Sequence, residues 1–493
     1  MGLLVPILAE ETLPGDVWHL SHSQVVRFAP MVTPVMHKVS VYVHYFFVPN
    51  RLIWDNWQDF ITGGEDGTAE PLHPVFRELG DQIGEGRLPD YMGLPTDMPA
   101  RNVNFNALPF AAYFKIWNEY YRDQNLQDKL VDECEDGVQS DASFRLFMAA
   151  EPLPRAWEHD YFTSALPFTQ KGPQVTIPLG NEAPIVFETD DNPTIARSPT
   201  SSIPISPAQD LVIGTTPGGS LEGDGAGNPK VALDVSGQHI ADLSNASGAL
   251  IIDLRNSVAL QNWLEMNARG GSRYTESNQV HWDVKTSDAR LQRPEYIGGT
   301  ATPVTFSEVL QTSANASQPT PQGNMAGHGV SVGAGRKLKK YTEEHGWIIG
   351  IMSIRPKTAY QQGIPRKFKR ETKFSYPWPV FQHIGEQEIA NEELYVTLDA
   401  DADANPFGFV PRYAEWKYIP CTVHGSFRTT LDDWHMGRIF DSAPVLNETF
   451  IQCNPTTRIF AATDTALENM YVYLWNDIKV KRKLAYYGNP KMM

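Results

Sequence analysis

From Lys38 to Phe47 the chain alternates without a break. Val39, Val41, Val43, Tyr45 and Phe47 fall on one parity, and Lys38, Ser40, Tyr42, His44 and Phe46 on the other. A period of two sends successive side chains to opposite faces of an extended chain, so this stretch reads as a half-buried strand that Pro49-Asn50 ends. Its buried parity is β-branched and aromatic, which suits a pleated surface. Whatever the chain builds must give that face a partner layer. The 37 Gly and 37 Pro among 493 residues argue against a helical bundle or coiled coil and favour many short strands joined by long loops. At 41% hydrophobic and 11% aromatic, the composition supplies ample material for a packed core.

Further strands are predicted at Gly346 to Ile354, whose unbroken apolar run implies burial on both faces, and at Leu394 to Leu398, Cys421 to Thr429, Thr457 to Ala462 and Met470 to Trp475. Two helices interrupt them. Phe110, Phe114, Trp117 and Tyr121 share one face between Pro109 and Arg122, with Pro suited to the first turn. Ala259, Trp263 and Met266 share one face between Ser257 and Ala268, which Gly270-Gly271 stops. Both stripes read as core packing. The pattern predicts a mainly β fold, a sandwich or jelly roll with long excursions between strands.

Residues 188–262 contain no Phe, Trp or Tyr, although the chain average is 11%. Such a segment does not share the main core. Gly- and Pro-rich and acidic, it reads as a solvent-facing insertion, with strand content signalled by Val231, Leu233 and Val235. Gly298 to Gly335, rich in Ser, Thr, Asn and Gln, reads as a second long, mobile loop.

No run of about 18 apolar residues exists to span a membrane, and Met1 to Glu10 has no basic stretch before its short apolar run. These features point to a protein made and kept in a cytoplasm. Cys134, Cys421 and Cys453 form no CxxC pair and read as buried thiols. There is no phosphate-cradling GxxxxGK[ST], no GxSxG, no HExxH and no GxGxxG after a strand. Asp399, Asp401 and Asp403 match positions 1, 3 and 5 of a calcium loop, but Ala404 and Val410 replace its Gly and Glu, so a plain acidic turn is the favoured reading. No cofactor is implied. Adjacent acids such as Glu343-Glu344 and Asp432-Asp433 make a poor acid/base pair, because neighbours on a strand face opposite ways.

Charge is unevenly spread. Residues 334–375 carry +8 and residues 479–493 carry +5, so a chain of total −17 leaves −30 on the rest. An acidic body with segregated basic segments suits one face toward a polyanion and another toward solvent. Arg366, Lys367, Lys369 and Arg370 surround Phe368, and Lys481, Arg482 and Lys483 precede Tyr486 and Tyr487. Cations beside stacking rings are what sequence-independent binding of single-stranded nucleic acid requires.

Leu13-Pro14-Gly15-Asp16, Phe46 to Leu52 and Trp54 to Trp57 resemble the opening of the major capsid proteins of microviruses, the small icosahedral single-stranded DNA phages, in their gokushovirus-like branch. The resemblance continues through Ser164 to Pro167, Arg269 to Tyr274, Gly346 to Gly350, Gln361 to Pro365, Tyr376 to Phe381 and Tyr413 to Lys417. It is weak from Glu188 to about Leu254, where such proteins carry a variable insertion. Relatives usually carry an N-terminal arm before the Leu13 to Asp16 region, and here twelve residues precede it. The resemblance implies an eight-stranded antiparallel jelly roll spanning 1–493 with the insertion at 188–254, to which composition and charge add a second loop at 298–335 and a basic tail at 479–493. It implies a T=1 shell of copies of the chain around circular single-stranded DNA, assembled in a bacterial cytoplasm with scaffolding and minor virion proteins. The insertion would rise at the threefold axes, and its expected exposure alone makes the loop around Thr215, Pro217, Gly218, Gly219, Asp224 and Asn228 the expected contact for a host surface receptor. The rival expectation is a carbohydrate-active β-sandwich enzyme or binding module.

Overall fold

The computed structural model describes residues 1–77, 83–96, 103–139, 151–175, 251–271, 273–312, 322–462 and 468–484, with short strands between 185 and 241. Two antiparallel sheets are built from β1 (Val5–Thr12), β2 (Val17–Phe28), β3 (Val39–Pro49), β4 (Glu295–Pro303), β5 (Thr305–Leu310), β6 (Met325–Ala334), β7 (Leu338–Tyr341), β8 (Gly346–Pro356) and β9 (Met470–Lys481). The first sheet runs β1–β8–β3–β4. In the second, β9 pairs with the whole of β2, so β6 and β7 must share the other edge of β2 end to end, with β5 outside β6. Counting β6 and β7 as one interrupted strand gives four positions in each sheet. β2 with β9 encloses β3 with β8, the nested pairing by which a long hairpin rolls up into a jelly roll.

The parity of β3 decides what packs where. Val39, Val41, Val43, Tyr45 and Phe47 meet Trp18, Leu20, Val26 and Phe28 of β2 and Ile348, Met352 and Ile354 of β8 between the sheets. Phe46 and Val48, with Trp347, Ile349 and Ile351, face the other way against α1 (Leu108–Ile116). The first sheet is thus covered on both faces, which is why Gly346–Pro356 shows no alternation. α1 is buried almost all round, carries Pro109 in its first turn and runs on into a π turn, Trp117–Tyr121. A third core gathers Phe162, Tyr360, Ile389, Leu394 and Phe450 about the hairpin of Glu386–Ala390 and Pro406–Pro411.

Several expectations are corrected. Leu394 to Leu398 is no strand: Leu394 plugs the third core at the end of a 3-10 turn, and Leu398 is exposed. Cys421 to Thr429 is reduced to a two-residue strand and a 3-10 turn, and Thr457 to Ala462 contributes buried Ile459 and Phe460 without strand pairing beyond a single bridge. Short apolar runs can fill a core without extending a sheet, and composition does not separate the two. Gly298 to Gly335 is not a loop but contains most of β4 with β5 and β6, residues 313–321 lying outside the described residues. Its glycines mark close packing: a Cβ on Gly329 would lie 2.4 Å from the Phe28 ring, and one on Gly333 2.6 Å from Thr302. Helix α2 is longer than expected, Ile251–Gly270, and its predicted core stripe is exposed at Trp263 (51%) and Met266 (43%). Cys134 and Cys453 are buried, whereas Cys421 is exposed.

Gly172–Leu264 forms a compact unit of its own. Within it Ile185–Phe187 pairs with His239–Ala241, Ile195–Arg197 with Val231–Leu233, and Val212–Ile213 with Leu221–Glu222. The pairs are nested and antiparallel, so this stretch goes out and returns on itself. Val235, Thr215, Pro217, Gly218, Gly219, Asp224 and Asn228 lie outside the described residues.

Candidate nucleic-acid interface

Arg366–Phe368 is a 3-10 turn on the wall of a cleft of about 490 Å³ that Tyr161, Tyr360, Lys367, Phe368 and Trp416 also line. The basic segment does meet aromatic rings here. Its charge, however, is largely offset inside the chain. Arg366 Nε lies 3.2 Å from Glu393 Oε1, and Tyr161 donates its hydroxyl hydrogen to Glu393 Oε2 at 3.0 Å. Burial raises the Glu393 carboxyl despite the Arg366 charge beside it. Lys369 pairs with Glu392, and Arg370 pairs with Glu415 at 3.7 Å while its guanidinium lies 4.4 Å from the Trp416 ring centre. Lys367 sits over Phe368 at 5.1 Å and has no carboxylate within ion-pair distance among the described residues.

The C-terminal cations divide in the same way. Leu13 to Asp16 is the turn joining β1 to β2: Asp16 N–H donates to Leu13 O at 3.1 Å, Pro14 fixes the first corner, and Gly15 takes φ +88°, a left-handed conformation that favours glycine. The Asp16 carboxylate is 1% exposed and accepts from Leu13 N–H at 2.9 Å and from Arg482 Nε and a terminal guanidinium nitrogen at 3.0 and 2.8 Å. Burial alone would raise this carboxyl; the Arg482 and Leu13 hydrogen bonds outweigh it and hold it below its usual range. Arg482 is therefore a brace for the β1–β2 turn. Lys481 and Lys483 are exposed without a carboxylate in ion-pair distance among the described residues, and Tyr486 and Tyr487 lie outside them.

The calcium-like run is a capped helical turn. Asp399 accepts from Asp401 and Ala402 N–H at the start of Ala400–Ala404, and Asp403 turns inward to accept from Thr397. Among the described residues no group of three or more His, Cys, Asp and Glu could hold a metal ion, and no helix is long and apolar enough to cross a membrane.

His44 lies on the outer face of the first sheet, its Nδ1 2.7 Å from the Tyr121 hydroxyl. Burial, with Arg155 and Arg355 nearby, pushes its imidazole down to about 4. The unfolded chain takes up that proton near pH 6.5, before the folded one does, so stability is intact above pH 6.5 and falls as pH drops toward 4. His44→Gln is expected to flatten this acid loss by up to about 3 kcal/mol, read as a smaller drop in denaturation midpoint between pH 7 and pH 4. His22 and His37, also lowered by burial, leave a residual slope in that variant.

A jelly-roll sandwich with a long out-and-back insertion, whose polar networks brace turns and hairpins, has the build of a viral shell subunit. The chain belongs to the phage capsid protein F family, whose sequence profile matches residues 1–492. It is similar to the capsid protein VP1 of Bdellovibrio phage phiMH2K, 37% identical over 99% of this chain and 92% of the relative. The VP1 capsid protein of Chlamydia phage 1 is 35% identical over 94% of this chain and 89% of its own length, and that of Spiroplasma virus 4 is 30% identical over 99% and 92%. The chain is a structural subunit of a phage virion that assembles with its own copies into a shell.

Proposed function

We infer that this major capsid subunit closes into a T=1 icosahedral shell around a circular single-stranded DNA genome, assembled in a bacterial cytoplasm with scaffolding and minor virion proteins. The observation that carries the reading is capsid-family membership through essentially the whole chain. Closed symmetry presents the same face of every copy inward and another outward, which suits a chain whose basic segments are set apart from an acidic body. Lys367, Lys481 and Lys483, left unpaired by carboxylates, are the members of the basic set available to phosphates, with Tyr486 and Tyr487 following. The test is the mass and nucleic-acid content of particles from cells supplying all the phage proteins. Uniform megadalton shells containing single-stranded DNA are expected; a persistent monomer that binds sugar saturably would overturn the reading in favour of a carbohydrate-binding sandwich.

The insertion serves as the host-attachment element, a role supported by its aromatic-free, acidic composition and its separateness as a compact unit. Deleting residues 215–228 is expected to leave shell formation intact and to reduce adsorption to host cells. Normal adsorption by the deleted particle would remove this role.

A further inference from the structure

The geometry points to the outer face of the second sheet as a platform that stacks unpaired bases of the packaged DNA strand, an assignment that rests on the genome-enclosing role above. On β9 the inward parity, Met470, Leu474, Ile478 and Val480, packs into the sandwich core. The outward parity is Tyr471, Tyr473, Trp475, Asp477, Lys479 and Lys481. The three rings are 56%, 63% and 61% exposed, so the core gains little from them. Large aromatic side chains left together on a solvent face mark a binding surface.

The strand register extends the platform across the sheet. Rows run Val330–Arg27–Tyr471, Val332–Val25–Tyr473, Ala334–Ser23–Trp475, Lys339–His19–Lys479 and Tyr341–Val17–Lys481. In a chain of net charge −17, these rows and Asp477 set Arg27, Lys339, Lys479 and Lys481 against one acid. None of the four has a carboxylate within ion-pair distance among the described residues, whereas Arg366, Lys369, Arg370 and Arg482 all do. Four cations that folding leaves without an internal counter-charge therefore share one sheet face with the exposed rings.

That pairing selects the occupant. A protein-binding patch is depleted of lysine at its centre, while single-stranded nucleic acid needs rings for base faces and cations for phosphates. Rings at alternate positions of a strand stand about 6.8 Å apart, twice the ~3.4 Å rise per nucleotide of a stacked strand. The face thus fits an extended strand with its bases separated, one to a ring, and selects no sequence.

The decisive experiment measures binding of a fluorescent oligothymidylate of about 20 nucleotides, longer than the ~4–16 such surfaces cover, to the full-length unassembled subunit. The combined variant Tyr471→Ala, Tyr473→Ala, Trp475→Ala is expected to weaken binding about 100-fold. Tyr473→Phe with Trp475→Phe should stay near native, and Lys479→Gln with Lys481→Gln should lower the salt dependence. Native affinity in the Ala variant overturns the assignment. So does a variant that binds the oligonucleotide normally but no longer forms shells, because the face would then be a contact between copies of the chain. The oligonucleotide assay needs no shell, so its result is separable from failure of the T=1 reading, which particle microscopy reports.

Discussion

Phe46→Ala is expected to lower the unfolding free energy of the subunit by about 4 kcal/mol. Phe46 is 1% exposed, on the parity of β3 that faces away from the sandwich. Its ring centre lies 4.8 Å from Tyr120, 5.4 Å from Tyr296 and 6.2 Å from Tyr121. These rings come from the π turn and from β4, and the backbone fixes both, so the surroundings cannot collapse into the space left behind. The cost therefore includes a cavity as well as lost transfer energy. Denaturant titration should show a lower midpoint at unchanged slope. Ser40→Ala, on the same parity at the start of β3, should change stability by no more than about 0.5 kcal/mol. An effect of Phe46→Ala as small as that would mean the outer face of the first sheet is not a tightly packed layer.

Arg482→Ala is expected to cost about 3 kcal/mol, because it leaves the buried Asp16 carboxylate without its counter-charge. Arg482 itself is one-third exposed on its side chain, at 33%, which keeps the effect at the lower end for a broken buried pair. The sign with pH follows from Asp16, whose folded carboxyl is held below its usual range. The contribution of the pair is complete above the unfolded carboxyl value of about 4 and is lost as pH falls through the folded value. The difference between native and variant should therefore narrow in acid. Adding Asp16→Asn to Arg482→Ala should restore part of the loss, since no charge then remains buried; a double-mutant cycle measures the coupling.

The strand at Val39–Pro49 was legible because its alternation is long and its buried parity is β-branched or aromatic. Gly346–Pro356 was legible for the opposite reason, as a run apolar throughout. Thr457 to Ala462 and Leu394 to Leu398 misled because a buried apolar pair looks the same whether or not a neighbour supplies hydrogen bonds. Gly298 to Gly335 misleads because its Ser, Thr, Asn and Gln content reads as a loop, whereas strands form there and its glycines are contact points between them. At the candidate interface, composition brought Arg366 to Arg370 together with aromatic rings. It could not show that Glu392, Glu393 and Glu415, distant in sequence, would pair with three of those cations. Tyr471, Tyr473 and Trp475 share a parity with Lys479 and Lys481, but aromatic content alone does not say which face of a strand is buried.

The pairing of β2 with β9 also sets a timetable. More than 400 residues separate Phe28, where β2 ends, from Met470, where the strand that covers its edge begins, and that strand is complete only at Lys481. At roughly 5 to 20 residues per second, synthesis leaves that edge uncovered for on the order of half a minute or longer. A strand edge unpaired for so long is an invitation to pair with the wrong chain. Where many copies are translated together, the nascent subunit has reason to be held by a chaperone until β9 arrives, and shells can begin to grow only from chains that have it.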